Sequence, residues 1–228
     1  MSAMESNTSK TRRDFLRSAG LSGAALALAG CSVDAMMFAP TGPSTAVVGP
    51  GGSIQLDFSM DIDVLNYAYA LEQLEAAYYI RVAQNAAFTS IFAANEQRVL
   101  LDLRDHEIVH RDFLAAALGS ARIPNLNVDF SSVIFTSRTS VLETARTFED
   151  LGVSAYNGAA RYLASAAFLG VAGKIVSVEG RHASAIRDLL RNRSGDFAPS
   201  AFDLGNTPQF VLNAADPFIV ESITVINA

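Results

Sequence analysis

The sequence predicts an all-α protein: a four-helix bundle with a long crossover between its second and third helices and a C-terminal extension. Three observations support this. Four segments repeat apolar residues in sevens, which is helical rather than strand-like spacing. The outer pairs of segments are separated by short intervals, whereas the middle interval, Gly119 to Arg138, holds 20 residues. Half of the 228 residues are hydrophobic, enough for a sizeable core. The 17 Lys and Arg against 23 Asp and Glu give a net charge of -6, so no nucleic-acid partner held by phosphate neutralisation is expected. A single Cys excludes an intramolecular disulfide and a Cys-rich zinc site. The three His are then the only other soft ligands.

Residues 1–30 read as an export signal rather than as part of the fold. A polar, basic start leads into Thr11-Arg12-Arg13-Asp14-Phe15-Leu16-Arg17 and then the small apolar run Ala19 to Gly30. That run has 12 residues, too few to span a bilayer as a helix. The paired arginines before Phe-Leu resemble the twin-arginine translocation signal. Leu28-Ala29-Gly30-Cys31 resembles a bacterial lipobox, which implies that Cys31 becomes the lipid-bearing first residue of the mature chain. The mature chain would carry 13 bases against 21 acids, so charge gives it no hold on anionic lipid and the tether has to be the lipid itself. The expected location is the periplasm or cell envelope, on a bacterial membrane.

Residues 31–60 are rich in Pro, Gly, Ser and Ala through Gly52 and are expected to be a flexible linker. The bundle is expected over 61–192. Its helices are Asp61 to Gln84, Asn95 to Leu118, Ser140 to Leu163 and Ala166 to Arg191. Asp61 and Asp63 suit a first helical turn. Asn95 can cap the second helix. Ser140-Val-Leu-Glu143 is a capping-box pattern opening the third, which makes Glu143 a cap rather than a ligand. The crossover reaches about 66 Å if extended, the length of a bundle. In the extension, 193–228, Pro199, Pro208 and Pro217 leave room for one short helix and an extended end packed on the bundle.

Polar residues interrupt each apolar stripe. The second helix runs Leu100, Leu103, Glu107, His110, Leu114, and the fourth runs Ala172, Ile175, Glu179, His182, Ile186, Leu189. In both, a Glu-x-x-His pair replaces two core positions, and residues three apart share a helix face. The first helix runs Leu65, Ala68, Glu72, Glu75, Tyr79, Val82, and the third runs Leu142, Ala145, Glu149, Gly152, Tyr156, Ala159. Each carries a mid-stripe Glu with a Tyr seven residues on. The chain therefore reads as one hairpin used twice. Chance predicts only about 0.1 Glu-x-x-His pairs in a chain of this composition, yet two occur, both on core stripes.

Four carboxylates and two imidazoles turned into a core need positive charge beside them, because one unpaired buried charge costs several kcal/mol. No Lys or Arg occupies these stripes near the acids. Two divalent cations would balance four glutamates, and an oxygen-rich set with one imidazole per metal suits Fe or Mn. The pattern resembles the ferritin-like di-iron carboxylate superfamily, with one Glu from each of two helices and Glu-x-x-His from each of the other two. Leu65-Asn66-Tyr67-Ala68, Leu71-Glu72-Gln73-Leu74-Glu75-Ala76 and the stretch Phe148 to Tyr156 are similar to exported ferritin-like proteins that include desiccation-related proteins. The resemblance implies that Glu107 and Glu179 bridge the metals, that His110 and His182 are terminal ligands, and that Glu72 and Glu149 each chelate one metal. Tyr79 and Tyr156 would be donors to those carboxylates or ordinary core aromatics. Glu75 departs from the pattern, since its counterpart is Gly152. It would be an extra ligand, a proton carrier or an outward-facing residue. His106, beside Glu107 but off the stripe, is expected on the surface rather than in the ligand set.

Two functions follow from the resemblance: an oxidoreductase reacting with O2 or peroxide, or a metal-binding or stress-protective protein without turnover. A metal-free bundle whose acids are protonated or paired with the histidines is the third reading. No Cys-rich redox domain is present, so an oxidoreductase would need a separate electron donor. The long N-terminal spacer and the appended tail do not suit a shell-forming ferritin, and a homodimer stays open.

Overall fold

A computed structural model describes residues 46–49, 52–191 and 194–228. The expected signal and Cys31 lie outside the described residues. Four long helices form the body: α1 Asp61–Ala83, α3 Ala94–Leu118, α4 Arg138–Ala159 and α5 Ala166–Leu190. They are joined as two hairpins, α1 with α3 and α4 with α5. A four-residue helix, α2 Phe88–Ile91, fills the first turn and buries Phe88. The second turn lies at 163–165, where the Asp61 carboxylate accepts the backbone N–H groups of Ala164 and Ser165 at 2.7 and 2.8 Å. The opening acid of α1 therefore also holds the turn of the other hairpin, just ahead of α5. Among the described residues no helix is long and apolar enough to cross a membrane.

Buried amides hold the crossover against α1. Asn66, fully buried, donates to the Ala121 carbonyl at 3.0 Å and accepts from the Ile123 N–H at 2.8 Å. Gln73 accepts from the Leu126 N–H at 2.9 Å. Each satisfies backbone that the crossover would otherwise bury without partners. Phe130 and Phe135 from the crossover pack around the Tyr78 ring with Phe148 of α4, and Phe218 from the extension closes on Phe148 at 4.8 Å.

The extension contains α6 Pro208–Ala215, opened by Thr207, whose hydroxyl accepts the Phe210 N–H, with Pro at the first helical position. Its approach to α4 requires Gly158, where a Cβ would stand 1.8 Å from the Asn206 carbonyl oxygen.

Four expectations need correction. The linker does not extend to residue 60: Ile54–Asp57 is a strand, β2, between β1 Val47–Val48 and β3 Ile223–Ile226. It pairs antiparallel with β1 and parallel with β3, Ile54 opposite Ile223 and Asp57 opposite Ile226. Ile54 and Leu56 face the core at 1% and 0% exposure, a four-residue alternation too short to stand out beside the Gly and Pro before it. Asn95 does not cap α3, which starts one residue earlier, and Glu96 reaches back to accept the Ala93 N–H at 2.8 Å. Nor does Ser140 open the third helix. Ser137 is its cap, Ser140 accepts the Ile134 N–H, and Glu143 pairs with Arg146 instead of capping. The third helix also stops at Ala159, short of Leu163, and passes into a 3-10 turn over Ala160–Tyr162.

Candidate metal centre

Each long helix contributes through the same face that builds the core. Helix α1 brings Glu72 and Glu75, α3 brings Glu107 and His110, α4 brings Glu149, and α5 brings Glu179 and His182. Glu72, Glu107, Glu149 and Glu179 are all at 0% exposure and His182 at 3%. The apolar residues of the stripes above and below, Leu100, Leu103, Leu114, Ile175 and Ile186, are buried with them. These polar side chains are inside because their stripes are inside.

The groups assemble into two sets, Glu72, Glu107, His110 and Glu179, and Glu107, Glu149, Glu179 and His182, each offering ligand atoms within 4.8 Å of one another. Glu107 and Glu179 belong to both. His110 Nδ1 lies 3.4 Å from Glu72 Oε2, 3.4 Å from Glu107 Oε2 and 3.0 Å from Glu179 Oε1. His182 Nδ1 lies 2.7 Å from Glu107 Oε1, 3.4 Å from Glu149 Oε2 and 3.9 Å from Glu179 Oε2. Each shared carboxylate thus turns one oxygen toward each histidine. The two imidazoles face the same interior, with ring centroids 6.1 Å apart.

The far oxygens of the unshared carboxylates are taken by tyrosines. Tyr79 Oη donates to Glu149 Oε1 at 2.5 Å, and Tyr156 Oη donates to Glu72 Oε1 at 2.6 Å. The remaining oxygens point at the cluster. Eight atoms there are buried without an aligned hydrogen-bond partner: Glu72 Oε2, both oxygens of Glu107 and of Glu179, Glu149 Oε2, His110 Nδ1 and His182 Nδ1. Buried polar atoms are rarely left so. Among the described residues, the buried polar and charged side chains include no Lys or Arg. Lone pairs converging in two groups, with no Lys or Arg among the described buried residues to offset them, are a donor set suited to divalent metal ions.

Without such ions the cluster must hold protons. Burial, then the charge of Glu107, pushes Glu72 up to about 8. Burial and the neighbouring carboxylates hold Glu75 and Glu179 well above the ordinary range, and burial raises Glu149. Burial would raise Glu107 too, but His110 and His182 outweigh it and bring it down to about 2. The histidines respond in kind: burial opposes their charge, yet the carboxylates lift His110 to about 12 and His182 to about 10.

Glu75 is inside, at 3% exposure. It does not turn outward. Gly152 provides the room: a Cβ there would stand 3.0 Å from Glu75 Oε1 and 3.4 Å from Glu179 Oε2. His106 is exposed as expected, but its Nδ1 lies 2.9 Å from His182 Nε2, a contact missing from the sequence reading. The available signal was the spacing of His106 and His110, four apart and so side by side along one helix. Cys31 lies outside the described residues.

No curated protein matches the chain. A family model described as a ferritin-like domain matches residues 60–192, more than half of the chain and the whole run from α1 through α5. The chain belongs to the ferritin-like family, with a buried carboxylate–histidine cluster suited to divalent metal at the centre of its bundle.

Proposed function

We propose that this is an exported, lipid-anchored ferritin-like protein whose bundle holds two divalent cations, Fe or Mn, and that it reacts with O2 or peroxide as an oxidoreductase. The observation that carries the proposal is the division of the eight unpartnered atoms into two sets sharing Glu107 and Glu179. In this reading Glu107 and Glu179, which belong to both sets, would help to hold both cations. Glu72 with His110 holds one end, and Glu149 with His182 holds the other. Two such cations, when bound, supply paired redox centres to an oxygen substrate.

The rest of the chemistry belongs to the chain. Tyr79 and Tyr156 occupy the outer oxygens of Glu149 and Glu72, so that each carboxylate keeps its inner oxygen aimed at the cluster. The buried leucines and isoleucines of the stripes exclude bulk water, which strengthens every charge interaction inside. Glu75, close to Glu179, is an added ligand or a place to hold a proton. Reducing equivalents come from a separate partner. Export by a twin-arginine route, which passes folded proteins, would let the site fill where Fe and Mn are supplied, before Cu or Zn can compete. Cys31 then carries the lipid.

Metal analysis of protein isolated by its own export route, followed by stopped-flow mixing of the Fe(II)-loaded protein with O2, tests the reading. The expected result is two metals per chain, lost in Glu107→Ala and Glu179→Ala, and an O2-dependent spectral change. Two metals without redox change would give instead a metal-holding or stress-protective protein. Absence of metal would remove the proposal and leave a helical bundle whose acids are protonated or paired with the histidines.

A further inference from the structure

The two halves of the centre are not equivalent, and the difference lies outside the ligand set. His182 Nδ1 faces the carboxylates, while its other nitrogen, Nε2, lies 2.9 Å from His106 Nδ1. The two rings are nearly coplanar, with planes 7° apart and centroids 5.2 Å apart, the arrangement of an in-plane hydrogen bond. His110 has nothing comparable. Among the described residues its polar contacts are all through Nδ1. The internal duplication shows why. Glu107 corresponds to Glu179, so His106 corresponds to Val178, which offers no acceptor.

Resting on the dinuclear reading above, we infer that His106 is a positioning residue that makes the His182 half of the centre the tighter site and leaves the His110 half the exchangeable one. A histidine that ligates through Nδ1 as neutral imidazole carries its proton on Nε2. That N–H has to be donated, and His106 Nδ1 accepts it. The bond fixes both the tautomer and the rotation of the His182 ring before a cation arrives, and partners of this kind change metal affinity by about 10- to 100-fold. His106 sits on the exposed side of α3, so replacing it removes the bond without opening the core.

Co(II), followed by its visible absorption during titration of the full chain, is the probe. Wild-type protein is expected to bind two Co(II) with distinguishable affinities. His106→Leu should weaken the tighter of the two by about 10- to 100-fold and leave the other unchanged. His106→Asn should restore it, because Oδ1 of Asn stands close to where Nδ1 of His stood and accepts the same proton. The His182 Nε2 proton, shifted by the paramagnetic ion in NMR, should persist in wild type and His106→Asn and exchange away with water in His106→Leu. A general loss of fold would not produce that pattern. Unchanged isotherms in His106→Leu, equal weakening of both sites, or failure of His106→Asn to recover would overturn the inference. If the wild-type protein does not bind two Co(II), the dinuclear reading itself is what has failed.

Discussion

Tyr79 of α1 donates its hydroxyl to Glu149 of α4, 70 positions along the chain, while Tyr156 of α4 returns the same contact to Glu72 of α1. The bonds cross between the two hairpins. Each tyrosine serves the carboxylate of the opposite half, so neither hairpin can complete its own site. Tyr79→Phe should leave Glu149 Oε1 buried without a donor and cost about 1–3 kcal/mol in the metal-free protein. Urea unfolding measures this. Stability equal to wild type would mean that the carboxyl finds another partner.

Gly152→Ala tests the space around Glu75. In an ordinary helix interior this change gains about 1 kcal/mol. Here the new methyl would meet Glu75 Oε1 at 3.0 Å, so the gain should be absent or reversed. Adding Glu75→Ala removes the obstructing carboxyl. The double-mutant cycle should show a coupling of about 0.5–3 kcal/mol between the two positions, and additivity would show that Glu75 moves aside freely.

The metal-free protein should be most stable near pH 5. Glu72 is raised to about 8, so between its ordinary 4.5 and that value the unfolded chain loses a proton that the folded chain keeps, and stability falls as pH rises. His110, raised from 6.5 to about 12, contributes stability that is complete below 6.5 and fades above it. Glu107, lowered to about 2, contributes stability present above 4.5 and lost as pH falls toward 2. Both neutral-range slopes run downward. Metal binding requires the ligands deprotonated and releases their protons, and Glu72, His182 and His110 all hold theirs upward of neutral pH, so binding should strengthen with pH across the whole range from 4.5 to 8.5. Urea midpoints with and without chelator, from pH 4.5 to 8.5, should therefore diverge. Parallel curves would contradict the assignment.

Glu96 fastens three elements at a distance from the cluster. It accepts the Ala93 N–H at the start of α3, and Arg138 donates to it at 2.5 Å and to the Leu189 carbonyl at 2.6 Å. Glu96→Ala should lower stability by about 1–2 kcal/mol and leave metal content unchanged. Loss of metal would show that this corner does reach the centre.

Leu56→Ala checks that β2 belongs to the fold. A fully buried leucine cut to alanine costs about 2–5 kcal/mol, whereas a residue in a flexible linker costs almost nothing. Thermal unfolding distinguishes the two.

Much of this molecule was legible before any coordinates. The heptad stripes located the four long helices within a few residues, because the spacing that buries an apolar face is also the spacing that makes a helix. The Glu-x-x-His pairs stood out for the same reason, as polar groups at core positions with no Lys or Arg beside them. Short-range features were read less well. A cap is decided by one or two backbone bonds, and Ser137 and Ser140 differ too little in sequence for the pattern to choose between them. Ile54 and Leu56 lie in a strand whose partners are the short Val47–Val48 and, returning from the far end of the chain, Ile223 and its neighbours.

The sequence by itself determined which side chains enter the core, since periodicity along one helix fixes the face that each residue shares. Tertiary structure alone decided which helix answers which: the tyrosines crossing between hairpins, the space at Gly152 filled from α1, and the surface His106 backing the buried His182. Those relations depend on the rotation and height of one helix against another. Such offsets arise from the packing of the whole bundle and leave no local pattern in the chain.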